Sequence, residues 1–234
     1  MVDTKLQSTV LILGASRGIG LGLVKQYLER GWQVIATERT LAPDTNLALL
    51  KQNFEAQLSI YQLDINQSDD LKKLSEKLDD ISLDILLVNA GVSDDPQQTV
   101  GQISTDEFTH LMLTNALSPL RAIETLAHLV KKQGSIAVMS SALGSVSLNT
   151  EGGFEVYRAS KAALNMLLRS YAARAGSQHS IFALMPGWVQ TDMGGSNAPV
   201  SVQESTSGLV NTIEQHAGQA GIYFVDYQNQ PIAW

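Results

Sequence analysis

Two side chains able to move a proton stand four residues apart, Tyr157 and Lys161. On a helix that spacing sets both on one face, one turn from each other. An ammonium held there favours the phenolate. A free tyrosine titrates near pH 10, so bringing it toward neutrality takes about 4 kcal/mol. The pair suits general acid–base work, although a Tyr/Lys spacing of this kind also arises by chance on a solvated helix.

The second candidate is the run Gly14-Ala15-Ser16-Arg17-Gly18-Ile19-Gly20. Thr9 to Leu13 before it is a short apolar run of the kind a buried parallel strand needs. The residues from Leu21 to Arg30 carry apolar side chains at helical spacing. Small residues between the two let backbone amides and the start of a helix approach a pyrophosphate. The spacing G-x-x-x-G-x-G departs from G-x-G-x-x-G, and glycine-rich strand-to-helix turns also serve packing alone.

The elements that must position these groups follow from periodicity. Strand-like runs recur at 10–13, 33–37, 59–63, 85–88, 135–139, 180–185 and 221–225, separated mostly by helix-length segments. Ser104-x-x-Glu107 and Ser201-x-x-Glu204 read as capping boxes at helix starts. The alternation predicts a doubly wound α/β sandwich of Rossmann type, with a seven-stranded, mostly parallel sheet and helices on both faces. Ligands in such sheets bind beyond the carboxyl ends of the strands, and the glycine loop, Asp64, Asn89, Ser141 and Pro186-Gly187 all follow predicted strands.

Taken in order, these motifs resemble the short-chain dehydrogenases/reductases over essentially the whole chain. The glycine loop and Tyr157-x-x-x-Lys161 are joined by Asp64, Asn89-Ala90-Gly91, Asn115, Ser140-Ser141 and Pro186-Gly187-Trp188-Val189-Gln190-Thr191. The resemblance implies a NAD(P)(H)-dependent oxidoreductase moving hydride between nicotinamide and a carbonyl or alcohol carbon. It implies catalytic roles for Asn115, Ser141, Tyr157 and Lys161. Tyr157 would supply the proton, Lys161 would lower its pKa and hold the nicotinamide ribose, Ser141 would bond the substrate oxygen, and Asn115 would position a water beside Lys161. Ser141 fits the family pattern better than its neighbours Ser140 and Ser145. For the cofactor it implies Gly14, Ser16, Arg17, Gly18, Ile19, Gly20, Asp64 and Ile65 at the adenosine end. Asn89, Ala90, Gly91, Pro186, Gly187, Val189 and Thr191 would serve the rest, together with Tyr157 and Lys161; the alternative for Asn89 is a role in the sheet alone, and Pro186-Gly187 could be only a turn.

Cofactor preference turns on Glu38 and Arg39, just past the second strand. Glu38 stands where an acid would hold a ribose 2'-hydroxyl and favour NAD(H). Arg39 and Arg17 are cations that could grip a 2'-phosphate. Two cations against one acid favour NADP(H), with NAD(H) the alternative. Glu38 would otherwise be a solvent-facing partner of one of these arginines.

Composition bounds the remaining readings. A length of 234 residues with no linker or low-complexity run predicts one domain over 1–234. The absence of cysteine excludes disulfides, thiolate metal sites and a cysteine nucleophile. A net charge of −7 argues against a nucleic-acid partner. Lys72-Lys73 and Lys131-Lys132 read as solvated helix surface, and His110, His128, His179 and His216 lack metal-ligand spacing. Asp69-Asp70, Asp79-Asp80 and Asp94-Asp95 read as surface or packing residues. The polar start and the lack of any apolar run near ~20 residues predict a soluble, cytoplasmic protein without a membrane partner.

The stretch from Ser141 to Tyr157 is longer than in many relatives and, with Met193-Gly194-Gly195-Ser196-Asn197-Ala198-Pro199 and Pro231-Ile232-Ala233-Trp234, resembles the branch of sniffer-type carbonyl reductases and C-factor signalling proteins. Two functions follow from that resemblance. One is a reductase of a small, fairly apolar carbonyl compound, with Trp188, Met193 and the long loop lining its pocket. The other is a dinucleotide-binding regulatory protein with little turnover. The family also implies a homodimer or homotetramer paired through the helices containing Asn115 and Tyr157, although Leu164, Leu167 and Leu168 could face this subunit's own sheet.

Overall fold

A computed structural model describes residues 7–176 and 178–234; the polar start at 1–5 lies outside them. Seven parallel strands form one sheet: β1 (Thr9–Leu13), β2 (Gln33–Glu38), β3 (Leu58–Gln62), β4 (Leu83–Val88), β5 (Val130–Met139), β6 (Ser180–Met185) and β7 (Gly221–Asp226). Their order is β3-β2-β1-β4-β5-β6-β7, with every ladder parallel. The order reverses between β1 and β4, which opens a crevice at the carboxyl edge.

Alternation along each strand divides the core between two faces. In β1, Val10 and Ile12 face one apolar cluster, and Leu11 and Leu13 face the other. The first cluster is covered by α1 (Gly18–Glu29), α2 (Asn46–Lys51) and α7 (Val202–Gln215). The second is covered by α3 (Ser68–Lys77), α5 (Ser118–Leu126) and α6 (Glu155–Ala175). Each fully buried leucine in these layers contributes about 2–3 kcal/mol, so both faces stabilise the sheet. Leu164 and Leu168 of α6 are buried in the second cluster, whereas Leu167 is exposed.

Helix α4 (Thr105–Met112) starts with the full reciprocal box expected of Ser104 and Glu107. At α7, Ser201 accepts from Glu204 N at 3.1 Å, one half of the same motif. Between α4 and α5 the helix passes through a π-helical turn, Leu113–Leu117, which holds Asn115.

Strand β5 begins five residues before the apolar run that signals it. Its first half is polar and partly exposed, its register against β4 shifts between Leu83 and Ile85, and Gln133 takes φ 68°. Period-two alternation is lost there, which is why the sequence hides it. Lys131, expected on a helix, lies on this strand and donates to both oxygens of Asp84 at 2.8 Å. Among the described residues no helix is long and apolar enough to cross a membrane.

Candidate active site

The loop from β1 to α1 is built by close backbone approach. Gly14 sits at φ +84°, and a Cβ there would lie 2.8 Å from Ala90 N. A Cβ on Gly20 would collide with Gly14 O. Asn89 Nδ2 donates to that same carbonyl at 2.8 Å, and Thr37 Oγ1 accepts from Gly14 N at 3.1 Å. These glycines are therefore required by packing around Asn89 and Ala90, and they draw the loop tight over the ends of β1 and β4. Helix α1 then starts at Gly18 without a side-chain cap from Arg17 and with no acid in its first turn. Its leading amides and dipole favour a negative group. The donor set fits a dinucleotide pyrophosphate.

Around this loop the structure distributes the adenosine-end candidates unevenly. Glu38 is buried, and its carboxylate accepts from Thr45 Oγ1 at 2.9 Å, so it is not the solvent-facing partner of an arginine. Thr45 also caps α2 by accepting from Ala48 N at 3.1 Å. Arg39 is exposed. Arg17 pairs with Asp192 at 2.8 Å, both side chains largely in solvent. Asp64 accepts from Asn66 N at 3.0 Å in a turn after β3, with Ile65 buried beside it.

The loop after β6 meets the same crevice. Gly187 takes φ +88°, and Pro186 O accepts from Ser205 Oγ at 2.6 Å, so the turn is held from α7. Thr191 accepts from Gly194 N at 3.1 Å. A Cβ on Gly18 would touch Thr191 Cγ2 at 3.4 Å, which sets this loop against the start of α1. Trp188 and Met193 are both more than half exposed, and Trp188 Nε1 donates to Gly194 O at 2.7 Å.

Tyr157 and Lys161 share one face of α6, with Lys161 Nζ 5.6 Å from the phenol ring centre. Lys161 is 4% exposed and donates to Met139 O at 2.8 Å. Burial pulls its pKa down to about 8. Burial also pushes the Tyr157 phenol up to about 12; a hydrogen bond with Ser141 acts against this, and the Asp94 charge adds to it. Burial thus favours the protonated phenol, while the Lys161 ammonium faces the ring and favours the opposite charge. Ser141 stands at the start of a 3-10 turn, where its hydroxyl accepts from Leu143 N at 3.1 Å. Ser140 points elsewhere, donating to buried Asn165 Oδ1 at 2.6 Å.

Asn115 is fully buried. It accepts from Val92 N and donates to Val92 O, both at 2.8 Å, and donates to Ser160 Oγ at 2.9 Å. Ser160 in turn donates to Tyr157 O at 2.7 Å. Gly91 lies alongside, where a Cβ would be 3.3 Å from Asn115 Oδ1 and 3.4 Å from Lys161 Nζ. The structure therefore brings Asn115, Ser141, Tyr157 and Lys161 to one edge, and it adds two residues that the sequence did not single out for the site. Ser160 is one; its place between Tyr157 and Lys161 was its only signal. The other is Asp94, expected to be surface or packing: its Oδ2 accepts from Val156 N and Tyr157 N, each at 3.1 Å.

Known proteins share this chain's sequence pattern and fold. The family profile described as short chain dehydrogenase matches residues 8–200. A carbonyl reductase from Pseudomonas aeruginosa PAO1, solved in complex with NADP, superposes with a TM-score of 0.90 at 42% identity, covering 97% of this chain and 100% of that one. The carbonyl reductase Sniffer of D. melanogaster does so with a TM-score of 0.86 at 31% identity, again over 97% and 100%. The C-signal of Myxococcus xanthus is 36% identical over 160 residues, 65% of this chain and 93% of that protein. The chain belongs to the short-chain dehydrogenase family of oxidoreductases.

Proposed function

We propose that the protein is an NADP(H)-dependent carbonyl reductase in which Tyr157 is the general acid and base. The observation that carries this reading is the phenol itself, facing the Lys161 ammonium one helical turn away at the carboxyl edge of the sheet. When bound, the nicotinamide supplies or accepts the hydride.

The chain's own residues do the rest. The uncapped start of α1 at Gly18, Ile19 and Gly20 binds the pyrophosphate, with Gly14 and Ser16 shaping the loop. Arg17 and Arg39 meet a 2'-phosphate. Glu38 is committed to Thr45, so the acid that would select a free 2'-hydroxyl is engaged, and the cations decide in favour of NADP(H). Asp64 and Ile65 border the adenine, and Asn89, Ala90 and Gly91 form the floor. Pro186, Gly187, Val189 and Thr191 hold the nicotinamide end.

A phenol kept protonated is a loaded acid for reduction, because a carbonyl oxygen gaining charge requires a proton. At neutral pH Lys161, with a pKa near 8, retains its positive charge and offsets the phenolate as it forms. Ser141 steadies the same oxygen. The substrate is a small apolar carbonyl or alcohol compound admitted between Trp188, Met193 and the 145–153 loop. Exposed Phe108, Leu117 and Met166 on α4 to α6 support pairing with a second copy of the chain.

Loss of nicotinamide absorbance, measured with NADPH and NADH over an aldehyde and ketone panel, tests the reading. Turnover should be faster with NADPH, and Tyr157→Phe should lower it by about a thousandfold while nucleotide affinity stays within about twofold. Turnover surviving in Tyr157→Phe would overturn the role of the phenol. Tight nucleotide binding without turnover in the unaltered protein would favour a regulatory binding protein.

A further inference from the structure

We propose that Asp94 is a positioning residue for Tyr157, its carboxylate holding the first turn of α6 and setting the charge that the phenol faces. The proposal rests on the reading of Tyr157 as the proton-transfer residue.

Helix α6 cannot cap itself. The chain reaches it through three consecutive residues in the left-handed region, Gly152, Gly153 and Phe154, at φ +71°, +68° and +50°. Phe154 occupies the N-cap position with no side-chain bond to offer. The leading amides are met instead from the loop after β4, where Asp94 Oδ2 accepts from both Val156 N and Tyr157 N at 3.1 Å. The same two segments are stitched twice more, since Phe154 N donates to Pro96 O at 3.0 Å and Val100 N donates to Glu155 Oε2 at 2.8 Å. The backbone of Tyr157 is thus held by the Asp94 carboxylate at its N–H and by Ser160 at its carbonyl.

The second oxygen of Asp94 gives the residue its electrostatic weight. Oδ1 is buried with no hydrogen-bond partner, and among the described residues no cation pairs with Asp94. A cap at a helix start needs only one acceptor, which an amide side chain supplies as well. The negative charge is therefore surplus to capping. Around Tyr157 the charged groups are few. Lys161 approaches from α6, while Glu155 turns to Val100 N and Arg158 to the carbonyls of Gly152 and Gly153. Asp95, next in the loop, is exposed and accepts from Gln97 N. From the loop after β5 comes only the Ser141 hydroxyl. Asp94 is the carboxylate that opposes Lys161 at this phenol, and its charge favours the protonated acid.

Asp94→Ala and Asp94→Asn separate the two roles. Amide hydrogen exchange at Val156 and Tyr157 should quicken about tenfold in Asp94→Ala and return toward the unaltered rate in Asp94→Asn. Turnover should fall about tenfold in the first and largely recover in the second, with nucleotide affinity within about twofold in both. The basic limb of the pH–rate profile should move to lower pH in Asp94→Asn, a change that capping alone would not produce. Unchanged exchange in Asp94→Ala, or an Asp94→Asn profile that overlies the original, would overturn the proposal. If Asp94→Ala fails to fold, Asp94→Asn alone decides it. Absence of turnover in the unaltered protein would sink the reductase reading; the exchange measurement needs no turnover and still reads the cap.

Discussion

Two helices point their amino ends into the crevice, and they are finished in opposite ways. Helix α1 starts at Gly18 with no side-chain cap and no acid in its first turn, so its amides are left for an anion from outside. Helix α6 starts after a left-handed Phe154 and receives a carboxylate from elsewhere in the same chain, Asp94. Both ends have the same orphan donors and the same dipole. The protein withholds a cap where a phosphate belongs and supplies one where a phenol must stand still.

The largest effect should come from the charge balance at α6. Lys161→Met should reduce turnover about a thousandfold, since an ammonium aimed at developing charge is lost. The same change should stabilise the fold at pH 7 by up to about 3 kcal/mol, because burial lowers the pKa from 10.5 to about 8. Below pH 8 folded and unfolded chains both hold the proton and the folded one bears the whole penalty. As pH rises from 8 to 10.5 the folded Lys161 is already neutral and the penalty shrinks, so the advantage of Lys161→Met should vanish by the upper limit. Thermal melts across that range check it, and a pH-independent difference would contradict the burial cause.

At α1 the comparison breaks if the loop is opened. Gly20→Ala puts a methyl onto Gly14 O and 2.7 Å from Asn89 Nδ2, with no flexible neighbour to yield. Nucleotide affinity should drop about a hundredfold, near 2.7 kcal/mol, as read by titration calorimetry. The sharper test gives α1 the finish that α6 has. Arg17→Asp supplies a capping carboxylate but also removes an exposed pair with Asp192 and the cation proposed for a 2'-phosphate, so NADH, which lacks that phosphate, is the probe. Helix stability should rise by about 1 kcal/mol while NADH affinity falls about tenfold. Unchanged affinity would mean that the α1 terminus is not where the phosphate sits.

Sequence legibility follows the same contrast. The start of α1 is encoded within one short run, Leu13 through Leu21, and the glycines announced it. Tyr157 and Lys161 were visible because their relation is one helical turn. What stabilises them was not, since Asp94 and Tyr157 are 63 residues apart and neither has a local pattern that names the other. Glu38 shows the same limit: its residue type suggested a ribose ligand, but a threonine seven residues on holds the carboxylate. All seven strands were legible as apolar runs. The early start of β5 was not, because Lys131 to Gly134 carry no alternation for a buried face.

The π-helical turn at Leu113–Leu117 has a consequence for chain length. It fits one more residue into the α4–α5 helix than a regular ladder would take. Deleting one of the four residues there other than Asn115 would let the ladder close as a regular α-helix, with α4 and α5 keeping their faces, and would remove the local widening that places Asn115 against Val92 and Ser160. At this turn the number of residues is constrained as tightly as their kind.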